Sequence, residues 1–303
     1  MSFLDTLCQM LVILFAIACG YAANHMGILN GETGKKVSQL LLTVTMPCMI
    51  VGAVCTGSQL PEASVVLGIL QVSAVFYALE FVFALIAPRL LGGTPGQRGV
   101  WRFTLVFPNV GFIGYPVAVA LFGPEALFYA VILVLPFNLL SFTLGPLMLT
   151  GAKRFSLRQT FSPCVIASLA ALLMALTRWR PPQVIGEALA FVGDITVPLS
   201  LLFVGSLLAG LPLGRMLFSP RLWILTAVRL LVMPAILCPI LRLMDIDAMI
   251  LGIAVTQMAM PAAVNGSLLC MEYGGDAECM AQITLVSTAA SIVTIPLIAA
   301  IFL

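Results

Sequence analysis

Residues 107–116 read FPNVGFIGYP, and this stretch lies in the middle of the fourth long apolar run of the chain. Pro108 and Pro116 each lack a backbone N–H group and clash with the preceding helical turn. Gly111 and Gly114 tolerate dihedral angles that other residues avoid. The stretch is therefore not expected to form a regular helix. Backbone groups that a break releases cannot stay unpaired in hydrocarbon, so the break must face protein or a polar cavity.

A second interruption lies in the ninth apolar run, where residues 260–267 read MPAAVNGS. Asn109 in the first interruption and Asn265 in the second can both donate and accept hydrogen bonds. Broken helices in corresponding positions of two halves indicate the substrate site of a transporter. Their half-helix N-termini would offer positive dipole ends to an anion. The predicted substrate-binding residues are Asn109, Gly111, Gly114, Pro116, Gln257, Pro261, Asn265 and Ser267. The alternative is two kinks filled by neighbouring helices.

The composition sets the class of protein. Of 303 residues, 61% are hydrophobic and 9% are charged, and the mean hydropathy is +1.15. Ordinary soluble domains have about 25% charged residues. These values exclude a soluble enzyme, a nucleic-acid binder and a disordered chain. The net charge of +2 gives no indication of an anionic macromolecular partner.

Ten apolar runs predict an all-α polytopic membrane protein, because a spanning helix needs roughly 20 apolar residues. Glycine, proline or charged residues bound each run. The runs are Phe3–Tyr21, Val37–Thr56, Ser64–Ala87, Phe103–Phe122, Ala126–Leu149, Cys164–Leu176, Ala188–Leu211, Leu222–Leu243, Ala248–Cys270 and Cys279–Leu303.

The placement of lysine and arginine predicts the orientation. With ten spans and an outside N-terminus, ten of these cations fall in inside loops and three in outside loops, as the positive-inside rule requires. The outside cations are Arg178, Arg180 and Arg242. Removing the short sixth span would move Arg215 and Arg221 outside and spoil this pattern. We therefore predict a multi-pass protein of the cell membrane with both termini outside.

Weak internal similarity predicts a duplication. Short motifs recur at an offset of about 150 residues, in the same order in both halves. The matched positions are Pro47 and Pro198, Pro116 and Pro261, and Pro146 and Pro296. Because each unit would hold five spans, the second unit must be inverted relative to the first, as in many secondary transporters. The predicted repeats are residues 1–150 and 151–303, with spans 4 and 9 as the broken pair.

Three charged residues inside the predicted spans are candidates for ion coupling or charge pairing. Glu80 in span 3 and Arg229 in span 8 lie about 10–12 Å deep from the same side, at 1.5 Å per residue. This equal depth favours an ion pair, while the alternative is that Arg229 binds a substrate carboxylate. Asp194 in span 7 is either a proton carrier or a helix cap at a break near Thr196.

The sequence gives no indication of a metal site or of a catalytic nucleophile. The eight cysteines form no CxxC pair and lie almost entirely in apolar runs, and His25 is the single histidine. The motifs DDxxD, HExxH and GxSxG are missing from the sequence. We predict no metal and no cofactor. A membrane-embedded enzyme remains an alternative of another class.

The motifs resemble one known family. PNVGFIGYP resembles the PNxxxxGxP segment in the fourth helix of the auxin efflux carrier family, which includes plant carriers and bacterial malonate and malate permeases. Pro261, followed eleven residues later by Glu272 and Tyr273, is similar to the proline crossover of that family. TVTMPCMIV in span 2 and TVPLSLLFVGSLL in span 7 are similar to its corresponding helices. The long loop of the plant carriers is missing, which favours a compact bacterial carrier.

The resemblance implies more than the residues alone. It implies a scaffold from spans 1, 2, 6 and 7 and a transport domain from spans 3–5 and 8–10. Spans 4 and 9 would cross at the centre, an elevator-like shift would move the substrate, and the scaffold helices would form a homodimer.

The predicted function is secondary active transport of a small organic anion across the lipid bilayer. The substrate would be a carboxylate or dicarboxylate such as malonate or malate, or an auxin-like acid. Coupling would be to protons or sodium. The alternative within transport is a sodium-coupled bile-acid-type symporter, which has the same ten-helix plan.

Overall fold

The computed structural model describes residues 3–56, 62–151, 162–209, 219–244 and 246–302. Within these ranges the regular structure is helical, apart from one isolated β-bridge. The α-helices are α1 (Phe3–His25), α2 (Gly31–Leu40), α3 (Met46–Thr56), α4 (Ala63–Leu91), α5 (Pro95–Val106), α6 (Tyr115–Phe122), α7 (Ala126–Leu133), α8 (Leu135–Thr150), α9 (Pro163–Thr177), α10 (Gln183–Gly193), α11 (Thr196–Ala209), α12 (Pro220–Ala227), α13 (Met233–Arg242), α14 (Ala248–Met258), α15 (Asn265–Tyr273) and α16 (Ala277–Phe302).

The predicted all-helical membrane class is confirmed. Among the described residues, five helical segments are long and apolar enough to cross a bilayer: Gly31–Thr56, Ala63–Leu91, Gln183–Ala209, Pro220–Arg242 and Ala277–Phe302. Shorter apolar helices are Leu11–His25, Val110–Phe122, Pro163–Thr177 and Ala248–Met258. The count of ten spans and the inverted repeat stay predictions.

Three π-helical turns interrupt the α-helices, and each ends two residues before a proline. They are Leu41–Thr45 before Pro47, Val110–Gly114 before Pro116, and Val228–Val232 before Pro234. A proline ring clashes with the carbonyl group four residues earlier. A π-turn encloses one residue more than an α-turn and so makes room for the ring. The helix therefore continues through each proline.

The irregular segments are shorter than the sequence analysis predicts. The first interruption is non-helical only at residues 107–109, because the π-turn absorbs Pro116. In the second, the helix resumes at Asn265. The predicted fifth span is divided at Val134, since α8 has Pro136 as its second residue.

The chain divides into two compact units, each discontinuous in sequence. The first unit comprises residues 1–71, 111–135 and 161–211, and the second comprises residues 72–110, 136–160 and 212–303. Each unit takes helices from both halves of the chain. The boundaries of the predicted repeats, and the scaffold and transport domains, stay predictions.

In the first unit, α1 packs against α11 and α3 packs against α10. Glycines allow these backbones to touch. A Cβ atom on Gly20 would collide with the backbone of Leu202, and one on Gly205 with the backbone of Ile17. Gly193 of α10 faces α3 in the same way. Small residues at such contacts are typical of helix packing in membranes.

In the second unit, α16 contacts α5, α12, α14 and α15. Two contacts join helix ends that the charge pattern assigns to the same side of the membrane. Gly96 is beside Asp276, where an added Cβ would lie 3.3 Å from the Asp276 Cβ, and Arg242 Nη2 donates to the Phe302 carbonyl at 3.3 Å. Which side faces the cytoplasm stays a prediction.

Candidate functional site

The two interrupted helices meet as a short antiparallel pair of extended segments in the second unit. Pro108 forms the β-bridge with Ala262. The Asn109 N–H donates to the Pro261 carbonyl at 2.7 Å, and the Ala263 N–H donates to the Phe107 carbonyl at 3.1 Å. Each broken helix thus satisfies backbone groups that the other leaves free, as an apolar environment requires. We call residues 107–109 and 261–263 the crossover.

Helix α16 supports the crossover from a third direction. The Ala262 N–H donates to Ser287 Oγ at 3.1 Å, and the Ser287 hydroxyl donates to the Thr284 carbonyl at 3.2 Å. Ser287 is fully buried. Ser287 is not among the residues that the sequence predicts for the site. The available signal was the group of small and polar residues that surrounds it in the tenth apolar run.

The ion pair that equal depth predicts between Arg229 and Glu80 is present in the second unit. Arg229 Nη1 donates to Glu80 Oε1 at 2.8 Å, and both side chains are fully buried. A buried charge without a partner would cost several kcal/mol, about 3–5 by analogy with broken pairs elsewhere. The pairing therefore explains how each residue is tolerated. A role in ion coupling stays a prediction for both.

The same guanidinium binds the carbonyl ends of both broken helices. Arg229 Nη1 donates to the Leu105 carbonyl at 3.0 Å, in the last turn of α5. Arg229 Nε donates to the Met260 carbonyl at 3.1 Å, just beyond the end of α14. Carbonyl groups at helix C-termini lack partners within the helix and carry partial negative charge. Arg229 Nη2 and Glu80 Oε2 have no hydrogen-bond partner among the residues that the structure describes.

Five of the predicted binding residues lie at or beside the crossover. Asn109, which is 2% exposed, and Pro261, which is also buried, belong to the crossover itself. Asn265 begins α15 two residues beyond Ala263, and Ser267 follows in the same helical turn. Gln257 lies in the last turn of α14. The binding role of these residues stays a prediction.

Gln257 has an unusual environment for an amide side chain. It is fully buried, and neither its Oε1 nor its Nε2 atom has a hydrogen-bond partner within the described ranges. A buried polar group that lacks a partner costs about 1–3 kcal/mol. Both polar atoms of Gln257 are therefore available to a polar partner beside the crossover.

The other predicted residues lie in the first unit. Gly111 and Gly114 belong to a π-turn, where a Cβ on Gly111 would lie 3.1 Å from Met46 Cε. Pro116 is buried in the first turn of α6. Asp194 is exposed at the C-terminal end of α10, which agrees with the prediction of a break near Thr196. Its proton-carrier role has no structural support and stays a prediction.

The described part of the chain brings together no group of three or more histidine, cysteine, aspartate or glutamate side chains that could hold a metal ion. The groups present at the crossover are backbone dipoles, amide side chains and hydroxyl groups. These groups can bind a polar solute reversibly.

Comparison with known proteins gives consistent results. The family model described as "Membrane transport protein" matches residues 5–155 and 147–299. An uncharacterized transporter of Methanothermobacter thermautotrophicus is 24% identical over 302 residues, covering 98% of each chain. An uncharacterized transporter of Methanocaldococcus jannaschii is 25% identical, covering 95% of this chain and 96% of its own. A Rhizobium meliloti protein named "Putative malonate transporter" is 22% identical, covering 92% and 90%.

Proposed function

The chain belongs to the membrane transport protein family, which is the auxin efflux carrier family that its motifs resemble, and from that premise we propose that it carries a small organic anion by secondary active transport. The family and the names of the relatives identify a multi-pass membrane transporter and not an enzyme. The proposal concerns the substrate, the coupling and the mechanism.

The crossover is the observation that carries the proposal. Two helices are interrupted at the place where they pair, and α15 begins there with its N-terminal N–H groups. These groups, together with the amides of Asn109 and Asn265, are suited to a carboxylate. The C-terminal ends of α5 and α14, which would repel an anion, are bound by Arg229 instead.

The substrate that we propose is a carboxylate or dicarboxylate, with malonate, malate and an auxin-like acid as candidates. The name of the Rhizobium meliloti relative supports a dicarboxylate. The amide of Gln257, which has no hydrogen-bond partner in the described part of the chain, supports a substrate with several hydrogen-bonding oxygens.

For the mechanism, we propose an elevator-type shift coupled to protons or sodium, in a homodimer that forms through the scaffold helices. The division into two compact units supports this proposal. The first unit contains all of spans 1, 2, 6 and 7, which the resemblance assigns to the scaffold. Spans 8, 9 and 10 belong to the second unit, while spans 3, 4 and 5 are divided between the two units.

Uptake by the purified protein in liposomes tests the proposal. We expect labelled malonate or malate to accumulate when a proton or sodium gradient is imposed, and to equilibrate without one. Protein-free liposomes are the control, and taurocholate is measured in parallel. Sodium-driven uptake of taurocholate without uptake of any carboxylate would replace the proposal by the bile-acid-type symporter.

Gln257→Leu should separate binding from folding. Leucine is close to glutamine in size and removes two buried polar atoms that have no partner among the residues described, so thermal stability should be unchanged or higher. If the amide binds substrate, the apparent affinity in uptake assays should fall about ten-fold, since one hydrogen bond to a charged group is worth about 1.5–3 kcal/mol. Gln97→Leu, at the N-terminal capping box of α5, is the matched control. Unchanged affinity in Gln257→Leu would remove this residue from the site.

A further inference from the structure

We infer that Arg229 is a positioning residue for the transport site, because its guanidinium fixes the two backbone segments that form the crossover. The inference rests on the proposed function in one respect: it takes the crossover as the place where substrate binds. It assigns to Arg229 a role different from substrate contact and from simple charge neutralisation.

The geometry places the anchor points next to the crossover. The Leu105 carbonyl lies two residues before Phe107, and the Met260 carbonyl lies one residue before Pro261. Both accept hydrogen bonds from one planar guanidinium, whose donors have fixed relative directions. Arg229 and the backbone hydrogen bonds of the crossover therefore together fix the position of one extended segment relative to the other.

Charge explains why an arginine occupies this place. The C-terminal ends of α5 and α14 present partial negative charges within an apolar interior, where a cation is favourable. Glu80 of α4 binds the same Nη1 atom and offsets the remaining positive charge. Nε and Nη1 are already engaged, so neither two-pronged edge of the guanidinium is free for a substrate carboxylate, and only the Nη2 donors lack a partner among the described residues.

Two packed elements support the same extended segment. Arg229 belongs to the π-turn Val228–Val232, which contacts α16. Helix α16 supplies Ser287, whose Oγ accepts from the Ala262 N–H. A change at Arg229 should therefore act first on the segment around Ala262 and on its partner around Pro108.

Hydrogen exchange without substrate tests the inference. The double variant Glu80→Leu/Arg229→Met removes both charges together, so neither is left buried alone, and such replacements are often neutral for stability. We expect a near-normal melting temperature. Amide exchange in residues 105–110 and 259–264 should be about ten-fold faster or more, because hydrogen bonds to a charged donor are lost. Exchange in α3 and α10, in the first unit, should not change.

Arg229→Lys keeps the test decisive if the double variant fails to fold. Lysine retains a cation beside Glu80 but lacks the planar fork, so it should fold and show a smaller acceleration confined to the same two segments. In uptake assays, both variants should raise the KM for malonate more than they lower the maximal rate.

Three results would overturn the inference. Unchanged exchange at the crossover together with lost uptake would make Arg229 a substrate contact. Acceleration of equal size across both units would make it a general stability residue. Unchanged exchange together with unchanged uptake would leave it only a neutralised charge. Since exchange is measured without substrate, failure of the wild-type protein to transport an anion would refute the proposed function separately.

Discussion

Asn109→Ala is expected to abolish transport while leaving a folded protein. Asn109 is 2% exposed, and its backbone N–H binds the Pro261 carbonyl at 2.7 Å, so alanine can keep the backbone pairing. The variant loses the amide that we place against the substrate carboxylate. With about two hydrogen bonds to a charged group lost, uptake should fall by about 100-fold or more. Initial uptake rates and a saturation curve in liposomes measure this. Asn265→Ala should behave in the same way.

A matched asparagine variant supplies the control. Asn30 is the N-cap of α2, and its Oδ1 accepts from the N–H groups of Glu32 and Thr33. Asn30→Ala should cost about 1 kcal/mol of stability without loss of transport. Near-normal uptake and affinity in both Asn109→Ala and Asn265→Ala would show that the crossover is not the binding site.

Gly205→Ala is expected to prevent correct packing of the first unit. The added methyl group would collide with the Ile17 backbone, and a backbone cannot rotate away as a side chain can. Overpacking usually costs about 1–3 kcal/mol, and the value should lie at or above the upper end here. Size-exclusion chromatography of detergent extracts should show little monodisperse protein, and any folded fraction should melt at a lower temperature. Gly20→Ala, against Leu202, should have a similar effect.

Gly68 offers the comparison for these glycine variants. It also lies in a long apolar helix, α4, but no atom of the described residues outside its own helical turns lies within 4 Å of the position of its missing Cβ. Gly68→Ala should leave the yield unchanged and raise stability by up to about 1 kcal/mol, through helix propensity. If Gly205→Ala matched Gly68→Ala in yield and melting temperature, the close contact between α1 and α11 would be refuted.

The helices and the presence of the two interruptions could be predicted from the sequence. Apolar runs predict membrane helices because uncharged segments of about 20 residues have the length that a helix needs to span a bilayer. The proline and glycine pattern of residues 107–116 predicted the first interruption, since a proline inside a helix removes a backbone hydrogen bond. The pattern did not show that the break is limited to residues 107–109, because a π-turn can absorb Pro116 without a signature of its own.

The pairing of Glu80 with Arg229 could be predicted from the sequence, but the contacts that support the crossover could not. Equal depth predicted that Glu80 and Arg229 pair, because the depth of each residue follows from the constant rise per residue of a helix. The carbonyl partners of Arg229 and the contact of Ser287 with Ala262 could not be predicted. Such contacts depend on which helices face each other. An apolar sequence is compatible with many helix packings of similar periodicity, so the pattern does not select one of them.

The π-turns affect how periodicity is interpreted along this chain. In an α-helix each residue advances by about 100° around the axis, so one additional residue would turn every later side chain toward a new direction. A π-turn takes up that residue locally. A helical wheel drawn through Gly31–Thr56 or Pro220–Arg242 in one continuous phase therefore misassigns the faces after Thr45 and Val232. Scanning data from these segments should be plotted with the phase restarted at each turn. Relatives whose chains are one residue longer or shorter at a π-turn can keep the same helix faces before and after that turn.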